Sequence, residues 1–258
     1  MAKSNYEYVK NFESADQILP NTWIVVRIDG KNFHKFAESH QFEKPNDQRC
    51  LDLMNKSACH VMKEIDDIKF AYGQSDEYSF IFERTTKLYK RRSSKILTNV
   101  CSLFTASFVF YWKHIFGDKN LLYPPSFDGR VVIYPTNKNL RDYLSWRQAD
   151  CHINNLYNTT FWALVQQGGL SRKEAEEKIR FTVSAEKNEI LFTQFGVNYN
   201  KEKEQFRKGS FIIREKLHKK PIVFENHNNE VLHGLIISHT DIIGNVLWEN
   251  NHHILGDE

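Results

Sequence analysis

The segment Trp23-Ile-Val-Val-Arg-Ile28 limits the fold more than any other, because it is an almost unbroken apolar and β-branched run that stops abruptly at Asp29-Gly30. Such a run reads as a strand covered on both faces. Phe33, Phe36 and Ala37 then mark one face of a short helix beginning near Asn32, with Gly30 expected to supply the tight turn into it. Asp29 therefore falls at a strand's carboxyl end beside a helix N-terminus, where free N–H groups can hold an anion such as a triphosphate. One acid does not hold a metal alone. A second pair stands at Ser75-Asp76-Glu77, in the expected turn of a hairpin between Ile68–Tyr72 and Tyr78–Phe82.

The next elements follow from spacing. Asn46 is the expected cap of a helix to about Glu64 whose inner face carries Leu51, Met54, Ala58, Val61 and Met62. Ser93 or Ser94 should cap a second long helix with Leu97, Val100, Phe104, Phe108, Tyr111 and Ile115 on its apolar face, and Gly129–Tyr134 reads as a further strand. Strand, helix, strand, strand, helix, strand is an α+β order, the ferredoxin-like βαββαβ arrangement of an antiparallel sheet with helices on one face. Its first and third strands are neighbours, so Asp29 and Asp76 should meet. That is the geometry of a polymerase palm, where two carboxylates hold two Mg²⁺ ions. Nucleotidyl cyclases share it, so the fold alone does not fix the chemistry.

Beyond this core the chain reads as helical from Asn137 to about Gln167, where Gly168-Gly169 stops it. Ser171 with Glu174 forms a capping box, Ala185–Phe192 a short helix, Tyr199–Lys203 a polar loop and Ser210–Arg214 a strand. The remainder looks appended, with a hairpin expected between residues 221–225 and 231–238 around Asn228-Asn229.

A net charge of +3 means that any nucleic-acid surface must come from local clusters. The run Lys87–Lys95 is one such cluster. Arg92 and Lys95 fall in the first turn of a helix, where positive charge opposes the helix dipole and calls for a compensating anion. The cysteines at 50, 59, 101 and 151 include no C-x-x-C pair and read as buried thiols of a reducing compartment. No signal or transit segment is visible, and no stretch reaches the roughly 20 apolar residues of a membrane span. The expectation is a soluble protein of the cytoplasm, with the nucleus as a further location.

Taken together, Arg27-Ile-Asp-Gly-Lys-Asn-Phe-His34, Lys44-Pro-Asn-Asp47, Gly73-Gln-Ser-Asp-Glu-Tyr-Ser79, Arg91-Arg92-Ser-Ser-Lys95, Asp142-Tyr-Leu-Ser-Trp-Arg147 and His152-Ile-Asn-Asn-Leu-Tyr-Asn158 resemble the tRNA(His) guanylyltransferases of eukaryotic type, from about Tyr6 to Arg214. The resemblance implies 3′-to-5′ addition of one guanosine to the 5′ end of histidine tRNA, with ATP and GTP as substrates and two Mg²⁺ ions. It implies Asp29, the Gly30 carbonyl and Asp76 as metal ligands, with Glu77 beside them as a third catalytic acid. Lys31, Asn32, Phe33, His34, Ala37, Lys44 and Asp47 would then line the nucleotide, and Ser75, Arg92 and Lys95 would meet phosphates. His152 and Lys187 would read the tRNA. On this reading residues 1–135 are the catalytic core, 136–215 a helical tRNA-recognition part and 216–258 an extension of unassigned role.

The resemblance also implies a homotetramer, for which Phe104, Phe108, Tyr111 and Trp112 are expected to give the second long helix surplus apolar surface. Two rivals stand beside this reading, a nucleotidyl cyclase that needs no RNA and a non-catalytic RNA-binding protein. The acids at the two turns argue against the second, since without a cation they repel phosphate.

Overall fold

The computed structural model describes residues 4–217, 219–224, 229–232 and 234–256. Its centre is a seven-stranded antiparallel sheet in the order β4-β1-β3-β2-β5-β9-β8. Strand β1 (Trp23–Gly30) leads through helices α1 (Phe33–Ser39) and α2 (Gln48–Glu64) to the hairpin of β2 (Ile68–Gln74) and β3 (Glu77–Phe82). Helix α3 (Ser93–Phe116) returns the chain to β4 (Phe127–Tyr134). Then come α4 (Asn137–Gln166), α5 (Arg172–Ile179), α6 (Ser184–Phe195), α7 (Glu204–Lys208) and β5 (Ser210–Arg214).

Helices cover both faces of the sheet, not one. Ile24, Val26 and Ile28 pack with α2 and α3, while the alternate residues Trp23 and Val25 pack with Leu140, Tyr143 and Leu144 of α4. This is why β1 shows no polar alternation: a strand buried on two sides needs apolar residues at both parities.

Several local expectations shift. Gly30 does not make the turn into α1; Asn32, at φ 53°, carries the left-handed residue. Gly30 is instead a close approach, because a Cβ there would stand 2.5 Å from the Phe33 ring. Helix α2 is capped by Asp47 and not by Asn46, the Asp47 carboxylate accepting from the Arg49 backbone N–H. Neither Ser93 nor Ser94 caps α3. The Asp16 carboxylate, from a distant segment, accepts from Ser94 N–H at 2.6 Å, and the Asp16 carbonyl accepts from Ser93 N–H at 3.0 Å. The buried stripe of α3 is Ile96, Val100, Phe104, Ser107, Phe108, Trp112 and Phe116, which shares Val100, Phe104 and Phe108 with the expected face, while Leu97, Tyr111 and Ile115 pack half-buried at its edges. Phe104, Phe108 and Trp112 are therefore spent inside the chain, and the Tyr111 hydroxyl meets His60 Nδ1 at 3.1 Å. The large apolar side chains of α3 left exposed are Val109 and Phe110.

The C-terminal part is woven into the sheet. Strand β9 (Leu235–Ser238) pairs with β5 along Phe211–Arg214, and β8 (Glu230–Leu232) pairs with β9. A second small hairpin joins β6 (Lys216–Leu217) to β7 (Lys220–Pro221). The expected pairing of 221–225 with 231–238 is thus replaced by two separate hairpins among the described residues, and Asn228 lies outside them. Helix α8 (Val246–Asn250) puts Trp248 against Phe70 and Phe211.

Candidate active site

Register brings the two acid-bearing turns together. Asp29 is the Cα partner of Glu77 across β1 and β3, and Gly30 N–H donates to the Asp76 carbonyl at 3.1 Å. Ser75, at φ 51°, turns the hairpin and donates its hydroxyl to Asp76 Oδ1 at 3.0 Å. No ion pair reaches either Asp29 or Asp76 among the described residues. Burial, and then the neighbouring Asp29, push the Asp76 carboxyl up to about 6. Asp29 is raised by burial and by Asp128, against the opposing pull of Arg130, Arg27 and Arg147. Two acids that resist ionising beside each other make a place for a cation.

These acids floor a cleft of about 1090 Å³ between the end of the sheet, the α1–α2 connection and the long helix α4. Asn32, Phe33, His34, Ala37, Lys44, Asp47, Ser75 and Glu77 line it as well, so most of the sequence-derived nucleotide set converges. Lys44 and Arg172 stand 5.8 and 5.3 Å from the Trp162 ring at the α4 side, and Arg172 pairs with Glu38 across the opening at 2.8 Å. Asp47 is less free than expected. Its two oxygens accept from Glu43 N–H, Arg49 N–H and the Arg49 guanidinium, and this bonding overrides burial to lower its pKa.

Other members of the set lie elsewhere. Lys31 faces a separate groove of about 380 Å³ with Lys35 and Tyr123. Arg92 and Lys95 lie at the opposite end of the sheet. Their neighbour Arg91 is bonded to Leu19 and Thr22, at the start of β1, and the strand between Thr22 and Asp29 spans on the order of 20 Å. Asp16 is the anion near Arg92 at the helix start, and the Lys95 ammonium stands 5.0 Å from the Tyr89 ring. Lys187 is buried, its ammonium donating to the Thr182 carbonyl and hydroxyl at 2.6 and 2.7 Å. It is thus not presented as a reading surface. His152 is half-buried with its ring 5.4 Å from Tyr199.

The amide-rich segment of α4 does two jobs. Asn155 is internal, donating to Asn46 Oδ1 and accepting from the Tyr199 hydroxyl, while Asn154, Tyr157 and Asn158 line the cleft. Glu77, the third acid of the set, is not open to solvent. It is buried and paired with Arg147 Nη1 at 2.9 Å. Arg27, Arg130, Trp146 and Arg147 complete the wall beside Asp29, and the sequence reading assigned them no role. A signal existed for Arg27, the lone charge within the otherwise apolar run Trp23–Ile28.

The family model described as tRNAHis guanylyltransferase matches residues 6–135, and that described as the Thg1 C terminal domain matches residues 138–244. The tRNA(His) guanylyltransferase of Schizosaccharomyces pombe is 62% identical over 215 residues, covering 83% of this chain and 82% of its own. The probable tRNA(His) guanylyltransferase of Bos taurus is 53% identical over 268 residues, covering 100% and 90%. The crystal structure of the Saccharomyces cerevisiae enzyme superposes with a TM-score of 0.77 at 48% identity, over 87% of this chain and 97% of that one. An antiparallel sheet carrying paired acids into a cleft with arginines beside Asp29, with these relatives, makes the chain a nucleotidyltransferase. It belongs to the tRNA(His) guanylyltransferase family.

Proposed function

We propose that this chain adds a guanosine to the 5′ end of histidine tRNA, using ATP to adenylylate the 5′ phosphate and the 3′-hydroxyl of GTP to displace AMP. The observation that carries the reading is the meeting of Asp29 and Asp76, with no ion pair to either among the described residues, on the floor of a cleft large enough for a nucleotide and an RNA end. Strands β1 to β4, in the order β4-β1-β3-β2 with α2 and α3 on one face, would be a ferredoxin-like polymerase palm within residues 1–135. Residues 136–215 would then contribute the helical side of the cleft and the tRNA contacts. Residues 216–258 would complete the sheet.

The donor set fits Mg²⁺. That ion takes oxygen ligands, keeps several waters and needs only one or two carboxylates plus substrate phosphates, which Asp29, Asp76 and the Gly30 carbonyl can offer. Bound there, paired Mg²⁺ ions would stabilise charge on the attacking and leaving oxygens of each phosphoryl transfer. The chain's own part is positional. The Asp76 carboxylate is held by Ser75, and the residues around His34 and Ala37 would seat the nucleotide. Guanidinium groups at Arg27, Arg130 and Arg147 offset negative charge around Asp29. Both chemical steps would use the same acids, and no protein nucleophile is required. The triphosphate left on the added residue would be trimmed afterwards. A homo-oligomer, a tetramer by family, working in the cytoplasm completes the proposal; no helix among the described residues is long and apolar enough to cross a membrane.

The test is incubation with ATP, Mg²⁺, labelled GTP and a panel of tRNAs. The expected result is a one-nucleotide extension restricted to histidine tRNA, with adenylylation and transfer both lost in Asp29→Ala and Asp76→Ala. A cyclic product formed without RNA would make the chain a cyclase. RNA binding with no product would make it a binding protein. An Asp76→Ala protein that still adenylylates tRNA at near-normal rate would overturn the shared acid pair.

A further inference from the structure

The wall of the cleft made by α4 carries a stack whose indole, Trp146, has no part in the chemistry described so far. The Arg147 guanidinium lies 3.5 Å from the centroid of the Trp146 ring, and Arg27 stands 5.8 Å from it. Arg147 is 5% exposed and paired with Glu77 at 2.9 Å and Asp150 at 3.3 Å, yet its Nε is buried with no partner among the described residues. Arg27 Nε is also buried and, among the described residues, unpartnered. Trp146, by contrast, is 54% exposed at the mouth of the cleft. A guanidinium backing one face of an indole leaves the other face for a flat ligand, and a buried N–H without an acceptor is costly unless a ligand completes it.

The two walls of the cleft differ in kind. His34, Ala37 and Asp47, on the α1–α2 side, belong to the proposed nucleoside triphosphate. Glu77, Trp146 and Arg147 lie on the α4 side of Asp29, since Glu77 is directly across from Asp29 and its side chain runs to α4. A reaction joining a nucleotide to an RNA end needs two anionic partners on either side of the acids. Aromatic faces next to arginine are how proteins hold unpaired bases irrespective of sequence.

We propose that Trp146, backed by Arg147, is the subsite for the 5′-terminal nucleotide of the RNA, its base on the indole and its phosphate toward Asp29, and that Glu77 is a positioning residue for Arg147 and not a metal ligand. This deepens the functional reading above and rests on it. Glu77 and Asp150 neutralise and aim the guanidinium, so that removing Glu77 loosens the stack and leaves the Asp29–Asp76 pair with its own oxygens.

The test compares wild type, Trp146→Ala, Trp146→Phe and Glu77→Gln by steady-state kinetics on 5′-phosphorylated tRNA and by fluorescence polarisation with a 5′-phosphorylated acceptor-stem RNA. Circular dichroism and thermal unfolding confirm that each variant is folded. Trp146→Ala is expected to raise KM and Kd for RNA about tenfold, in line with the loss of one base–aromatic stack. Its KM values for ATP and GTP should stay within about twofold of wild type, and Trp146→Phe should recover most of the loss. Glu77→Gln should show the same RNA-selective loss with an unchanged half-saturating Mg²⁺ concentration. A raised Mg²⁺ requirement in Glu77→Gln makes it a metal ligand and overturns the positioning role. Unchanged RNA binding in Trp146→Ala, or a rise confined to ATP or GTP, overturns the subsite. A wild-type protein without guanosine transfer overturns the functional reading instead, and the polarisation arm still decides whether the indole holds an RNA end.

Discussion

Asp76 shows how a site can cost the fold stability. Its folded pKa of about 6 lies above the ordinary 3.8, so the folded chain keeps a proton that the unfolded chain has already released. Between about pH 4 and 6 the native state binds more protons, and stability of the metal-free protein should therefore fall as pH rises through that window. Asp76→Asn should abolish activity and yet stabilise the metal-free fold at pH 7 by on the order of 2 kcal/mol, measured by denaturant unfolding. Wild type, but not Asp76→Asn, should regain that stability when Mg²⁺ is added. A lower midpoint for Asp76→Asn without metal would disprove the account.

Arg91 makes the opposite point. In the sequence it is one of a basic run, indistinguishable from Arg92. In the fold its guanidinium donates to the carbonyls of Ile18, Leu19, Thr22, Arg84 and Thr86 and to the Thr22 hydroxyl. Arg91→Ala strands those carbonyls and should cost about 3 kcal/mol, read as a lower denaturant midpoint, with KM for GTP unchanged in the surviving folded protein. Lysine, with a compact ammonium in place of a planar fork, should rescue little.

At the scale of elements, most of the core was legible because its signals are local. The β1 run, the β2–β3 hairpin, the Ser171 capping box and the Gly168-Gly169 stop each depend on residues close in sequence. The α3 terminus was not, because its cap comes from Asp16, far back in the chain, and no local serine does the job. The bonds to Ser94 hold the Asp16 carboxyl below its usual range. Its contribution is therefore present at neutral pH and lost as pH falls through that lowered value. Asp16→Ala should lower the melting temperature by a few degrees at pH 7, and the difference from wild type should vanish in strong acid. Arg92 follows the same pattern, since its charge is plain in the sequence while the carboxylate near it, Asp16, comes from a distant segment. Lys187 differs, because the Thr182 that takes its ammonium is only five residues back.

For the whole molecule, Asp29 and Asp76 were found because a strand order predicts which turns meet. The α4 wall was missed because nothing in the spacing of Trp146 and Arg147 says that their helix crosses the end of the sheet. The C-terminal strands were missed because each is short and their partners are distant: β9 pairs with β5, and Trp248 then seals Phe70 and Phe211. Trp248→Ala should cost about 3–5 kcal/mol, although Trp248 is outside the cleft. Chemical denaturation followed by far-ultraviolet circular dichroism would measure it.

The position of β9 also has a consequence for how the protein is made. Synthesis proceeds from the N-terminus, so the acids, the cleft and β5 all leave the ribosome before the strand that covers the edge of β5. Until Leu235–Ser238 arrive, the nascent chain offers Phe211, Ile212 and Ile213 along an unpaired edge, the kind of template on which other chains add. A premature stop near residue 215 would thus yield not a smaller enzyme but a chaperone client or an aggregate, though the acid pair itself is upstream of the break.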